Sequence, residues 1–236
     1  MKIAIMQPYL FPYIGYWQLI NMVDEFVILD DVNYIKRGYI NRNNILLDGE
    51  KYMFSLPVQK ASQNKLIMET KIMNDTKEKQ KLIHTFQNAY RRCRYYENVM
   101  PVIENIIAND EDDLTDYIKY SIDMIMQYLN IKTKIKKSSM IDKNNSLKGQ
   151  DRIIEICKKE RADCYINPSG GRDLYDSISF KKNDIQLFFL EPKINQIEYK
   201  QKSEKFIAYL SIIDVMMNLS IEEIGKIMLL YELKVE

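Results

Sequence analysis

Short apolar runs alternate with amphipathic stretches along most of this chain, and that alternation is the first guide to its fold. Ile3 to Met6 is an uninterrupted apolar run that stops at Gln7-Pro8, where proline lacks an amide donor and disfavours helix in the residue before it. It predicts a buried strand. A loop and a helix lead from there to a second apolar run, Phe26 to Leu29, which predicts the next strand. Asn43 to Leu47 and Lys51 to Val58 flank Asp48-Gly49-Glu50, the pattern of a hairpin whose turn uses the positive φ open to Gly49. Leu66 to Met73 reads as a further short strand.

From Asp75 to about Tyr95 the apolar spacing lengthens to that of a helix, with Leu82, Ile83, Phe86 and Tyr90 on one side. Pro101 predicts the first turn of another helix. Asp110 to Asp113 puts negative charge at the start of a third, whose stripe is Leu114, Ile118, Ile122, Met126 and Leu129. The strand rhythm then returns: Ile131 to Ile135 as strand, Asp151 to Lys159 as helix, Cys164 to Ile166 as strand. The turn Asn167-Pro168-Ser169-Gly170-Gly171 leads to a short helix at Arg172 to Tyr175, and Gln186 to Leu190 is the last clear strand. Phe206 to Leu219 follows, and Ser220 and Glu223 have the spacing of a capping box at the head of a final helix. Strands alternating with helices imply an α/β fold, a Rossmann-like and mostly parallel sheet with flanking helices, the hairpin, and a mainly helical insertion at about residues 75–130. With no repeat, low-complexity segment or linker, residues 1–236 read as one domain.

Composition narrows the setting. The hydrophobic share of 46% and charged share of 28% are those of a soluble globular chain, and a net charge of +1 recruits neither DNA nor an anionic membrane globally. Any anion site must be local. Cys93, Cys157 and Cys164 are odd in number and widely spaced, which argues against a disulfide framework or a structural zinc site and fits a reducing cytoplasm. Gln7, Pro8, Pro12 and Gln18 interrupt the opening apolar run, so a signal peptide is not expected, and no run approaches membrane-spanning length.

In parallel α/β sheets the loops leaving the carboxyl ends of the strands form the ligand crevice, so the loops after Met6, Leu29 and Ile166 are the places to look for chemistry. Asp30 and Asp31 are candidates for a general base, a ribose contact or a metal ligand, against the plain alternative of a solvated turn. Lys36, Arg37 and Arg42, with Asn33 and Asn41 between them, are suited to a diphosphate, the arginines supplying planar forks. Tyr9 and Tyr13 are candidates to stack on a sugar or base. Small residues after a strand, Ser169, Gly170 and Gly171, let backbone amides point at an anion, with Asn167 and Arg172 adding direct bonds; a tight turn explains them equally well. Asp151, Arg152, Ser211 and Asp214 open or line helices, and capping accounts for the first two nearly as well as chemistry. His84, the only histidine, sits in a helical stretch with no nucleophile partner and reads as structural. No metal site is predicted.

The opening words Gln7-Pro8-Tyr9 to Gly15-Tyr16, Asp30-Asp31-Val32-Asn33 and Lys36 to Asn43 resemble the WbqC-like protein family, named from bacterial O-antigen gene clusters. Lys148 to Arg152, Tyr165 to Gly171 and Leu210 to Asp214 also resemble it, so the likeness spans nearly the whole chain. It implies a cytoplasmic protein of surface polysaccharide (lipopolysaccharide O-antigen) biosynthesis: a transferase moving glycine or another small acyl or aminoacyl group onto a nucleotide-linked amino sugar. It favours an anion-binding use of the Ser169 turn. Read from the residues themselves, the candidate catalytic residues are Asp30, Asp31 and Ser169; the candidate substrate-binding residues are Gln7, Tyr9, Tyr13, Asn33, Lys36, Arg37, Asn41, Arg42, Asn167, Gly170, Gly171 and Arg172. The activated donor is aminoacyl-tRNA, acyl-CoA, or ATP plus amino acid, and partners are the nucleotide-linked sugar and other enzymes of the pathway. Two alternatives stand beside it: a non-catalytic sugar-nucleotide-binding or scaffold protein, and an ATP-using nucleotidyltransferase-like enzyme, although the histidine pair of the latter fold is replaced by Tyr13 and Tyr16.

Overall fold

The computed structural model describes residues 1–235. In chain order its elements are β1 (Lys2–Met6), α1 (Ile14–Met22), β2 (Glu25–Ile28), β3 (Arg42–Leu47), β4 (Glu50–Ser55), α2 (Thr76–Tyr90), α3 (Tyr96–Ala108) and α4 (Leu114–Leu129). There follow β5 (Lys134–Lys137), α5 (Gly149–Lys159), β6 (Cys164–Pro168), α6 (Ser177–Lys181), β7 (Gln186–Pro192), α7 (Ile212–Asn218), α8 (Ile221–Ile227) and β8 (Tyr231–Val235). Six strands form one sheet in the spatial order β5-β2-β1-β6-β7-β8, all parallel except β8 against β7. The pair β3-β4 stands apart as an antiparallel hairpin, its turn at Asp48-Gly49 with φ of 52° and 81°.

The apolar runs are continuous because both faces of the central strands are covered. Ile3 and Ile5 of β1, with Val27 and Tyr165, face α5 and α6, while Ala4, Phe26, Ile28 and Ile166 face the larger core built by α1 to α4, α7 and α8. Side chains of α2, α3 and α4 supply about a third of that larger core. Asp75 caps α2 through the amides of Lys77 and Glu78, Asp113 caps α4 through those of Thr115 and Asp116, and Ser220 and Glu223 form the expected capping box on α8. Fully buried Gln18 of α1 donates to the carbonyls of Ile227 and Leu230 at 2.8 and 3.1 Å, tying α1 to the end of α8.

Four expectations are corrected. Leu66 to Met73 is not a strand: it holds a 3-10 turn at Ile67–Glu69 and isolated bridges to Asn33, Val58 and Asp113, because its buried anchors Ile67 and Ile72 do not keep the two-residue alternation a ladder needs. Pro101 lies inside α3, which begins at Tyr96; the buried stripe Val99, Met100, Ile103, Ile106 and Ile107 outweighs its missing amide bond. The third parallel strand is Lys134–Lys137, later than the apolar run Ile131 to Ile135, since an edge strand needs only one covered side. Beyond Gln186 to Leu190 there is one more strand, β8, whose largely exposed Glu/Lys alternation hid it; Lys193–Glu232 and Lys234–Glu191 pair beside and across it.

Candidate functional site

Counted along the chain, the parallel strands have the order third, second, first, fourth, fifth, so the connections change direction between β1 and β6. At such a switch point the loops diverge and leave a crevice beyond the carboxyl ends of the strands. A cavity of about 480 Å³ lies there, lined by Asp31, Asn33, Lys148, Gln150, Arg152 and Tyr175 among others.

The neighbouring aspartates after β2 face different environments. Asp30 is consumed internally: Ser139 donates to it from its amide (2.9 Å) and its hydroxyl (2.6 Å), which joins the end of β2 to that of β5. Burial pushes its carboxyl pKa up, and the Ser139 bonds offset part of that shift. Asp31 belongs to the cavity wall, with both carboxylate oxygens covered. Its side chain is only 8% exposed, with Lys143 Nζ 2.7 Å from Oδ2 and Arg152 Nη1 3.7 Å from Oδ1, yet neither oxygen receives an aligned hydrogen bond among the described residues. A buried carboxylate compensated in charge but not in hydrogen bonds retains acceptor capacity.

Those cations are fixed by the loop before α5. Arg152 donates Nε, Nη1 and Nη2 to the backbone carbonyls of Leu147, Asp31 and Asn145, at 2.9, 2.7 and 3.0 Å, so it organises the loop rather than reaching out. Lys143, almost fully buried, also donates to the Ser138 carbonyl. No side chain caps the first turn of α5, and Gly149 enters it at a φ of 52° with open space on its Cβ side. Free amides at a helix start, with Lys148 beside them, favour an anion.

The other expected residues do not line this cavity. Gln7 offers its carbonyl to the Tyr16 hydroxyl at 2.9 Å. Tyr9 packs between Tyr16 and Tyr39, with ring centroids 5.6 and 6.3 Å away, and Tyr13 lies 5.7 Å from Tyr209. Lys36 and Arg37 are exposed, and Arg42 donates Nε to the Gly38 carbonyl. Asn41 accepts from the Tyr34 hydroxyl and donates to the Leu56 carbonyl, a bracing role. After β6, Ser169, Gly170 and Gly171 form a 3-10 turn at the same edge of the sheet; a Cβ on Gly171 would fall 2.2 Å from Asn167 Nδ2. Asn167 accepts from Tyr165 at 3.0 Å, and the Arg172 guanidinium lies 5.2 Å from the Phe189 ring centre with its Nε buried and unbonded. The cavity thus takes Asp31 and Asn33 of the expected set and adds Lys148, Gln150, Arg152 and Tyr175. Lys148 to Arg152 carried a signal as a run resembling the family; Lys143 carried none, because a lysine in a polar loop reads as solvated.

A larger cavity, about 920 Å³, opens on the far side of the hairpin, between Asp48 to Glu50, Arg91 to Cys93 and residues 201–205, with Asp214 behind it. Its size is not matched by chemistry. Asp214 is fully buried and satisfied by Tyr90 (3.0 Å), Tyr199 (2.7 Å) and Gln201 (3.1 Å), and the rim mixes both signs of charge. Among the described residues no group of His, Cys, Asp and Glu side chains could hold a metal ion, His84 is exposed beside Gln87, and no helix is long and apolar enough to cross a membrane.

Comparison with known proteins agrees with the resemblance in the opening words. A Mycobacterium tuberculosis protein named "Uncharacterized protein Rv1507c" is 26% identical over 223 residues, covering 94% of this chain and 95% of that one. No solved structure matches. The profile of the WbqC-like protein family matches residues 7–226, so the segments that build the crevice and the aspartate pair lie within the match, and the chain belongs to that family.

Proposed function

We propose that the crevice binds a nucleotide-linked amino sugar and that the protein transfers glycine or another small acyl or aminoacyl group to its amine, in the cytoplasmic assembly of a bacterial surface polysaccharide. The observation that supports it best is Asp31: a buried carboxylate with unused acceptor capacity, opposite an uncapped helix start. The amides of α5 and Lys148 suit the phosphates, and Asp31 suits an amine that must lose a proton. In the reaction the amine nitrogen forms a bond to the acyl carbon, the donor's bond to that carbon breaks, its electrons leave with the donor, and Asp31 takes the ammonium proton. Asp30 serves only to hold the loop, through Ser139.

The test pairs calorimetry with sugar nucleotides and an acyl-transfer assay. Asp31→Asn is expected to retain sugar-nucleotide binding within a few-fold and to lose about 10²- to 10⁴-fold in turnover, the range for removal of a general base. Normal turnover in Asp31→Asn, or no binding of any amino-sugar nucleotide to the wild type, overturns the reading.

A further inference from the structure

The rim of the crevice runs into a face with an unusual charge. Residues 32–42 and 56–66 contain Lys36, Arg37, Arg42, Lys60 and Lys65 and not one Asp or Glu, in a chain whose net charge is only +1. The two stretches are one layer. The Tyr34 amide donates to the Lys65 carbonyl (2.8 Å), the Ile67 amide to Val32 (2.9 Å) and the Leu56 amide to Asn41 (2.7 Å), and the loop after β1 joins through the Leu10 amide to Ile40 (3.1 Å). None of the five cations forms an ion pair among the described residues. Of the flanking carboxylates, Asp31 is paired with Lys143 and Glu69 is engaged with the Leu66 amide.

The same face displays tyrosines. Tyr39, 48% exposed, meets Tyr9, and the Tyr13–Tyr209 pair continues from the same loop, Tyr209 being 58% exposed. The loops that present them are held in costly backbone: Phe11, Arg37 and Tyr209 all have positive φ, at 45°, 62° and 60°. Side chains with a ring face and nearby unpaired cations match a flexible polyanion with stackable rings. Asn33 and Leu66 belong both to this face and to the cavity wall, so the track ends in the crevice.

We propose that this face binds single-stranded RNA with its 3′ end in the crevice. The inference rests on the transfer reading for its purpose: an acyl group esterified to the terminal ribose would be attacked there by the sugar amine, forming the N–C bond, breaking the C–O bond and releasing the ribose hydroxyl, which takes up a proton. The RNA contact itself is independent of turnover. Neither the hairpin turn, with Asp48 and Glu50, nor the larger cavity takes part.

The experiment is fluorescence anisotropy of the full chain with a labelled unstructured RNA of about ten nucleotides, a length that spans several stacking sites. The corresponding duplex and vesicles of anionic phospholipid are run alongside. Single-stranded RNA is expected to bind better than duplex, with affinity falling as salt rises; Lys36→Ala and Lys65→Ala are expected to reduce the log–log salt slope by about 0.7 each. Tyr39→Ala is expected to weaken binding about tenfold or more at fixed salt and leave that slope unchanged. Circular dichroism melting confirms that these surface variants stay folded. Equal binding of duplex, an unchanged response in all three variants, or binding to vesicles without binding to RNA overturns the proposal. If RNA fails while amino-sugar nucleotides still bind, only this inference falls; if RNA binds and no sugar nucleotide does, the transfer reading falls and the RNA face stands.

Discussion

Two carboxylates are buried in this protein behind two different cavities, and they are held in opposite ways. Asp214 sits in a knot of neutral donors, Tyr90, Tyr199 and Gln201, that satisfies both its oxygens and joins α2, α7 and the loop after β7. Asp31 is held by the charges of Lys143 and Arg152 and lacks aligned hydrogen bonds. A satisfied carboxylate has nothing left for a ligand, whereas one neutralised by charge alone does. The larger cavity therefore has the larger volume and the crevice has the chemistry.

The sharpest way to break the contrast is to remove the charges. Lys143→Ala leaves Asp31 buried without its closest cation and is expected to cost about 3–5 kcal/mol in urea unfolding, the range for a broken buried pair. A loss below about 1 kcal/mol would mean that Asp31 is solvated, by the measured worth of exposed pairs. In the Asp214 knot, Tyr199→Phe removes one donor of three and is expected to cost about 1.5–3 kcal/mol, as for a hydrogen bond to a charged group. Gly149→Ala at the mouth of the crevice is expected to cost about 1 kcal/mol, since alanine is strained at positive φ.

The smallest effect is a slope with pH. Burial raises the carboxyl pKa of Asp214 above its ordinary 3.8. The folded state therefore holds that proton after the unfolded chain has lost it, and stability from this source, full below the ordinary value, falls as pH rises through the raised one. Asp214→Asn has no such proton, so wild type should lose stability relative to the variant as pH climbs from about 3.8 upward. Parallel curves for the two proteins across the acid range would contradict the assignment.

The fold was legible where burial alone sets the pattern. Ile3 to Met6 and Phe26 to Leu29 are covered on both faces and read as strands from any window, and Ser220 with Glu223 names a helix start through local chemistry. β8 escaped because an exposed edge strand carries the composition of a loop, and Leu66 to Met73 misled because its apolar content suits a strand although its buried anchors Ile67 and Ile72 stand five residues apart, on opposite faces of any strand. At the site the aspartate pair was visible, but which of the two faces the cavity depends on Ser139, more than a hundred residues away in sequence. Lys143 was invisible for the same reason: its partner is chosen by the approach of β5 to β2, and nothing near it in the chain marks it as buried.

The bond from Gln18 to the end of α8 has a bearing on how the chain opens. The carbonyls of Ile227 and Leu230 at the end of a short helix are ones that water would ordinarily satisfy, and here a helix from the first twenty-two residues does so. The last turn of α8 cannot fray without stripping a buried amide of its acceptors. In native-state hydrogen exchange the amides of α1 and α8 should accordingly exchange as one cooperative unit, with the two ends of the sequence opening together although more than two hundred residues separate them.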